Sequence, residues 1–184
     1  MEFGLRSNQL KLMPMKNTIE TERLVLRAST IEDAEFVYEL LNTTKWLEFI
    51  GDRNINSLDD AKQYIIEKII PQHKRLGYGN FTVIRKSDGA KLGSCGIYDR
   101  EGLEGVDIGF GFFPAYEQKG YAFESANKVM QLAKDKYKLK LINAITNQNN
   151  LSSQKLLIKL GLSFSRLITL PDSDEQLMLF QIYL

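Results

Sequence analysis

Between Val106 and Thr146 the chain spells a strand, a stop, a helix and a second strand. Val106-Asp107-Ile108-Gly109-Phe110-Gly111-Phe112-Phe113 ends at Pro114. A helical pattern follows from Tyr121 to Lys136, with Ala122, Ala126, Val129, Met130 and Ala133 on its inner side, and Leu139–Thr146 reads as the next strand. Such a crossover makes its two strands parallel and is right-handed. Every other connection points to antiparallel pairing. Phe81–Arg85 and Lys91–Tyr98 flank Ser87-Asp88-Gly89, a hairpin turn, and Leu162–Leu170 and Gln176–Leu184 flank Pro171-Asp172-Ser173-Asp174. The predicted fold is α/β with a mixed sheet.

The remaining elements fit around that unit. Arg23–Arg27 alternates polar and apolar residues as a half-buried strand does. Thr30 and Asp33 form a capping pair ahead of a helix that buries Phe36, Val37, Leu40 and Leu41. Ser57 and Asp60 repeat the pair for a second helix with Leu58, Ala61, Ile65 and Ile69 on one face, which Pro71 is expected to stop. A short helix from Leu151 ends at Gly161. Residues 18–184 are expected to form one domain, with residues 1–17 a disordered extension and Met1, Met13 and Met15 alternative starts.

Composition narrows the function classes. Lys and Arg total 24 against 23 Asp and Glu, a balance without the basic excess that captures nucleic acid. No apolar run approaches the ~20 residues of a spanning helix, and Gly4, Ser7, Asn8 and Lys11 break up the region where a secretory signal would need its apolar core. We therefore expect neither a nucleic-acid nor a membrane partner. One cysteine allows no internal disulfide, so the expected compartment is the cytoplasm. One His and one Cys supply no soft metal-ligand cluster, and no metal is expected. A phosphate loop of the form GxxxxGK[ST] is missing, which removes the usual nucleotide-binding module.

Chemistry concentrates at Glu117-Gln118-Lys119-Gly120-Tyr121-Ala122, between the carboxyl end of a strand and a helix start. Free N–H groups and the helix dipole favour an anion there, Gly120 permits close approach, and Lys119 adds positive charge. A pyrophosphate fits this place; a plain solvent-exposed turn explains the same residues. In the preceding strand, Asp107, Gly109, Gly111 and Phe113 share one face. Its two glycines leave either open space for a ligand or a seat for close packing.

Three stretches in order resemble the GNAT N-acetyltransferase superfamily, in particular the branch of ribosomal-protein alanine N-acetyltransferases. They are Thr21-Glu22-Arg23-Leu24-Val25-Leu26-Arg27 with Glu32-Asp33-Ala34; Asp107–Pro114 running into Lys119-Gly120-Tyr121-Ala122-Phe123-Glu124-Ser125; and Asn150-Leu151-Ser152-Ser153 with Leu156–Leu162. The resemblance implies a mostly antiparallel central sheet, helices on both faces, and one parallel pair splayed to admit acetyl-CoA. It implies that the diphosphate sits on amides of Gln118, Lys119, Gly120, Tyr121, Ala122 and Phe123, and that pantetheine runs along Phe112–Phe113. Asn150 would bind the cofactor arm and Ser153 the thiol. The family usually carries Gln or Arg where this chain has Glu117, and a carboxylate there must point away from a diphosphate.

Acetyl transfer to an amine needs a neutral nucleophile, a donor for the oxyanion and an acid for the thiolate. Asp107 is the candidate base, directly or through water, with Glu48, Asp52, Glu101 and Glu104 as rivals and a solvated strand carboxylate as the plain alternative. Ser153 is the candidate acid, with Tyr98 and Tyr116 as alternatives that are equally core aromatics. Asn150 also serves as a helix cap without any function. Trp46 and Phe49, in the loop between the first helices, either wall an acceptor pocket or join the core, and Cys95 and His73 lack the partners of an activated nucleophile. The expected reaction is direct attack by a primary amine, on a protein N-terminus or a small molecule, in a ternary complex. The competing expectation is a non-catalytic acyl-CoA sensor or scaffold. A monomer and a homodimer are both compatible with the sequence.

Overall fold

In the computed structural model, which describes residues 18–171 and 173–184, the alternating segments assemble into an eight-stranded sheet. The strands are β1 (Ile19–Glu20), β2 (Leu24–Ala28), β3 (Asn80–Arg85), β4 (Lys91–Tyr98), β5 (Val106–Phe112), β6 (Leu141–Asn147), β7 (Ser163–Thr169) and β8 (Gln176–Tyr183). Their order is β1-β2-β3-β4-β5-β6-β8-β7, antiparallel except between β5 and β6. The expected extension at residues 1–17, and Asp172 of the last turn, lie outside the described residues.

The exception shapes the molecule. β5 and β6 pair only at Val106↔Ile142 and Asp107↔Asn143. Past those pairs β5 follows β4 to Phe112, β6 follows β8 to Asn147, and the two diverge. The crossover helix α5 (Tyr121–Asp135) buries Ala126, Val129, Met130 and Ala133 in a core with Phe81, Ile97, Ile108 and Ile142. A second core gathers Phe36, Val37 and Leu40 of α1 (Ala34–Leu41), Ala61 of α3 (Leu58–Tyr64), and Ile65 and Ile69. Strand alternation separates the two: Phe110 and Phe112 pack on the first and Phe113 on the second, so helices cover both faces of the sheet. Fully burying one such Leu or Phe contributes about 1.5–3 kcal/mol.

A buried carboxylate ties the second core to the sheet. Asp33 takes two bonds from Arg27 at 2.5 and 2.7 Å, one from Lys91 at 2.6 Å and one from the Thr30 N–H at 2.9 Å. Burial pushes its pKa up, but Arg27 and Lys91 outweigh that and bring it down to about 2.

Two expectations about the helices need correction. Pro71 does not stop the second helix: α3 passes through a π-helical segment, Ile65–Ile69, into α4 (Ile70–Leu76). The Ile70 N–H donates five residues back to the Ile65 carbonyl, so hydrogen bonding shifts just before Pro71, which then occupies a first-turn position where no N–H is needed. Gly77 closes the helix instead. His73 therefore lies within α4, its ring edge-on to Phe81 at 5.2 Å, and burial lowers its pKa. The segment around Trp46 is not a loop but a short helix, α2 (Thr44–Phe49), capped by the Thr43 hydroxyl. Among the described residues no helix is long and apolar enough to cross a membrane.

Candidate active site

The carboxyl ends of the diverging strands carry two helix starts. Gly120 caps α5 in the left-handed region, φ +82°, where its missing side chain leaves no cap hydrogen bond. Gln118 also has positive φ, 57°. Among the described residues, no backbone or side-chain oxygen accepts the N–H of Gln118, Lys119, Gly120, Tyr121, Ala122 or Phe123. The turn thus presents a row of unpartnered donors at the positive end of a 15-residue helix. At the other start, the Asn150 side chain accepts the Ser153 N–H at 3.1 Å and caps α6 (Leu151–Lys159). Ser153 is half-buried on the first turn of α6.

The charges around the first turn are arranged by residues that sequence patterning did not single out. Glu117, the departure from the family pattern, forms an ion pair with Lys45 of α2. Arg23, read from the sequence as part of a strand and of the first resembling stretch but given no role at the turn, stacks over the Tyr121 ring at 4.5 Å and donates to the Lys119 carbonyl at 3.1 Å. Glu124 holds it there with a 2.7 Å bond. A β carbon added at Gly120 would stand 3.2 Å from the Arg23 guanidinium. Lys119 itself turns back to the Ala115 carbonyl at 2.8 Å. No local signal ties Arg23 or Lys45 to the turn, because each reaches it from a distant element.

The divergence leaves the β6-facing backbone edge of β5 unpaired from Ile108 to Phe112. Phe112 and Phe113 at its end are half-buried. Of the two readings of the glycine face, close packing is the one observed. Added β carbons at Gly109 and Gly111 would stand 2.9 Å from the Tyr98 ring and 2.5 Å from the Trp46 ring. Trp46 of α2 therefore roofs the strand that leads to the turn. Tyr98 donates to Asn80 at 2.6 Å, and burial raises its pKa well above the usual range.

Asp107 stands at the closed end of the divergence and is 1% exposed. Arg100 bonds its Oδ2 from Nε at 3.1 Å and from Nη2 at 3.0 Å; its Oδ1 is buried with no hydrogen-bond partner. Burial raises the pKa and Arg100 pulls against it, the net direction being up. The neighbouring Asn143 is engaged elsewhere, donating to the Glu104 carbonyl at 2.7 Å and accepting from Gln181 at 2.9 Å. Asn143, Glu104 and Gln181 line a cavity of about 380 Å³ together with Leu141, Arg166 and Leu179; Asp107 and Arg100 are not part of its lining.

The rival acids and acid-base tyrosines are placed differently. Glu48, Asp52 and Glu101 are exposed, and Asp52 accepts the Asn54 N–H at 2.7 Å within its own loop. Tyr116 lies under Arg85, 5.2 Å from its ring centre. Cys95 is fully buried, and burial pushes its thiol up to about 12, so it is no nucleophile near neutrality.

Comparison with known proteins gives this geometry a family. The family model described as an acetyltransferase (GNAT) domain matches residues 23–163. The chain is 26% identical over 144 residues to the uncharacterized N-acetyltransferase YnaD of Bacillus subtilis, covering 78% of this chain and 81% of that protein. In fold it is similar to the ribosomal-protein-S5-alanine acetyltransferase of Vibrio fischeri, with TM-score 0.76, 18% identity, and coverage of 91% and 96% of the two chains. It is also similar to RimL, a ribosomal L7/L12 α-N-protein acetyltransferase in complex with coenzyme A, with TM-score 0.77, 14% identity, and coverage of 91% and 98%. At those identities the two structures speak for the fold, and the family match, which runs from the Arg23 strand past Gly161, speaks for the chemistry. The chain belongs to the GNAT family and is an N-acetyltransferase.

Proposed function

We infer that the chain moves the acetyl group of acetyl-CoA to a primary amine, on a protein N-terminus or a small molecule, by direct attack in a ternary complex. One observation carries this reading. The unpaired β5 edge leads straight to the unpartnered amides of Gln118–Phe123, so a chain ending in a diphosphate has both a strand to lie against and an anion site to end in. Pantetheine would pair along Phe112–Phe113, the diphosphate would take the amides of Gln118, Lys119, Gly120, Tyr121, Ala122 and Phe123, and Arg23 would face it. Lys45 relieves the repulsion expected from Glu117. The coenzyme A bound by the RimL neighbour supports the same cofactor class.

The remaining residues then divide the other tasks. Asn150 holds the start of α6 and meets the cofactor arm, and Ser153 donates to the departing thiolate. Asp107 takes the proton of the attacking amine through its free Oδ1, directly or through one water. An α-amine, with pKa near ~8, needs less help than a lysine amine near ~10.4. With Cys95 buried and protonated, the amine attacks the thioester itself and no acyl-enzyme forms. A reducing cytoplasm, in which a lone cysteine stays a thiol, is the proposed compartment.

Thiol release from acetyl-CoA, followed spectrophotometrically across peptides with free N-termini, polyamines, aminoglycosides and amino-acid amides, tests the reading. Amine-dependent release supports it. Calorimetric binding of acetyl-CoA without release on any amine would leave a sensor instead.

A further inference from the structure

We propose that Arg100 is a positioning residue for the transfer: it anchors Oδ2 of Asp107 from two nitrogens and so leaves Oδ1 as the single oxygen presented to the acceptor amine. The inference rests on the reading of Asp107 as the base, and it assigns a role to a residue of the Asp99–Gly105 loop.

The geometry is specific. A guanidinium beside a carboxylate commonly forms two parallel bonds, one to each oxygen. Arg27 does so on Asp33, with Nη1 on Oδ2 and Nη2 on Oδ1. Arg100 instead places both Nε and Nη2 on Oδ2, and Oδ1 stays buried without a partner. An unsatisfied buried oxygen is costly and calls for an explanation, which use in the transfer supplies. The side chain best placed to satisfy it, Asn143, is in register with Asp107 on β6, yet both ends of its amide are spent on Glu104 and Gln181. Arg100 is itself held. Its loop is fastened to α4 by Arg75 and Asp99 at 2.7 Å and to β6 by the Asn143–Glu104 bond.

The same contact governs the charge of Asp107. The groups facing it are Arg100 from the loop, Tyr98 in register on β4, and the neutral Asn143 and Gln181 on β6 and β8; Tyr64 of α3 bears on Tyr98. Tyr98 is neutral near pH 7 and donates to Asn80, so Arg100 is the one cation acting against burial. Removing it raises the Asp107 pKa further, and the acid limb of kcat/KM for the amine moves to higher pH.

Carbon-13 titration of the Asp107 carboxyl, assigned by its loss in Asp107→Asn, is compared among wild type, Arg100→Ala, Arg100→Gln and Arg100→Lys. We expect the midpoint to rise by about 1 pH unit or more in the Ala and Gln variants, to return partway in Lys, and acetyl-CoA affinity to stay within about twofold. Equal midpoints in wild type and whichever neutral variant folds would overturn the role of Arg100, whatever the kinetics. Wild-type turnover by Asp107→Asn would overturn the base reading instead, even with the midpoints shifted as expected. If both neutral variants fail to fold, Arg100→Lys decides: a single ammonium cannot reproduce the two-nitrogen grip, and an unshifted midpoint with unshifted kcat/KM rejects the proposal.

Discussion

Among the described residues two aspartates are buried beside arginine, and their partner sets differ. Asp33, between β2 and α1, is wholly enclosed, and a bidentate guanidinium, an ammonium and a backbone N–H meet both of its oxygens. Asp107, at the fork of β5 and β6, is nearly as buried yet keeps one oxygen unmet. Burial opposes ionisation at both sites. At Asp33 the partners win and the carboxyl falls to about 2; at Asp107 burial wins and it rises. Completeness of the partner set separates a carboxylate that holds a fold from one free to take a proton.

The contrast breaks first under exchange of each carboxylate for its amide. Asp107→Asn is expected to lower kcat by about 10²–10⁴-fold while stability changes by less than about 1 kcal/mol, since Arg100 can turn toward solvent. Thiol-release kinetics beside urea denaturation measures both, and a normal rate across pH would remove the distinction. Asp33→Asn should do the reverse, costing about 2–4 kcal/mol of stability with turnover per folded molecule retained. The loss is kept below that of a fully enclosed triad because Lys91 is a third exposed.

Acid titration sharpens the comparison. The folded pKa of Asp33 is depressed from 3.8 to about 2, so its contribution, about 2 kcal/mol, is present above pH ~4 and disappears as pH falls toward ~2. Asp107 carries the opposite sign: with a raised folded pKa it favours folding below its unfolded value and ceases to as pH rises through the folded one. Denaturation of wild type and Asp33→Asn at descending pH should therefore converge near pH ~2, and parallel curves would contradict the assignment.

A smaller pair of effects compares the two helix starts. Gly120→Asp puts a carboxylate at the open start of α5, and we expect acetyl-CoA to bind about 10-fold more weakly by calorimetry. Asn150→Ala removes a cap that α6 supplies to itself and should cost about 1 kcal/mol of stability. If Gly120→Asp leaves affinity intact, the turn is not the anion site.

Legibility in the sequence followed the range of the interaction. The crossover from Val106 to Thr146 was readable because periodicity and Pro114 are local signals, and β5, α5 and β6 fall within a residue or two of expectation. The Gly120 turn and the Asn150 cap were readable for the same reason. Pro71 misled because a π-helical segment absorbed its missing N–H, and a shift of hydrogen-bond register leaves no mark in residue type. Trp46 over Gly111, Lys45 on Glu117 and Arg23 beside Gly120 each join elements far apart in the chain, so no window of sequence contains them.

The order of residues determined by itself where the strands and helix of the crossover and the two hairpins would form, that the crossover would be parallel, and that its helix would start at a bare glycine. Those outcomes depend on side-chain alternation, turn chemistry and backbone donors, all of which act over a few residues. Tertiary structure alone decided that β5 and β6 part after two pairs, that rings roof the glycines, and that Arg100 grips one oxygen of Asp107 and leaves the other. Sheet twist and helix packing set those distances, and a carboxylate's charge follows from what those distances bring beside it.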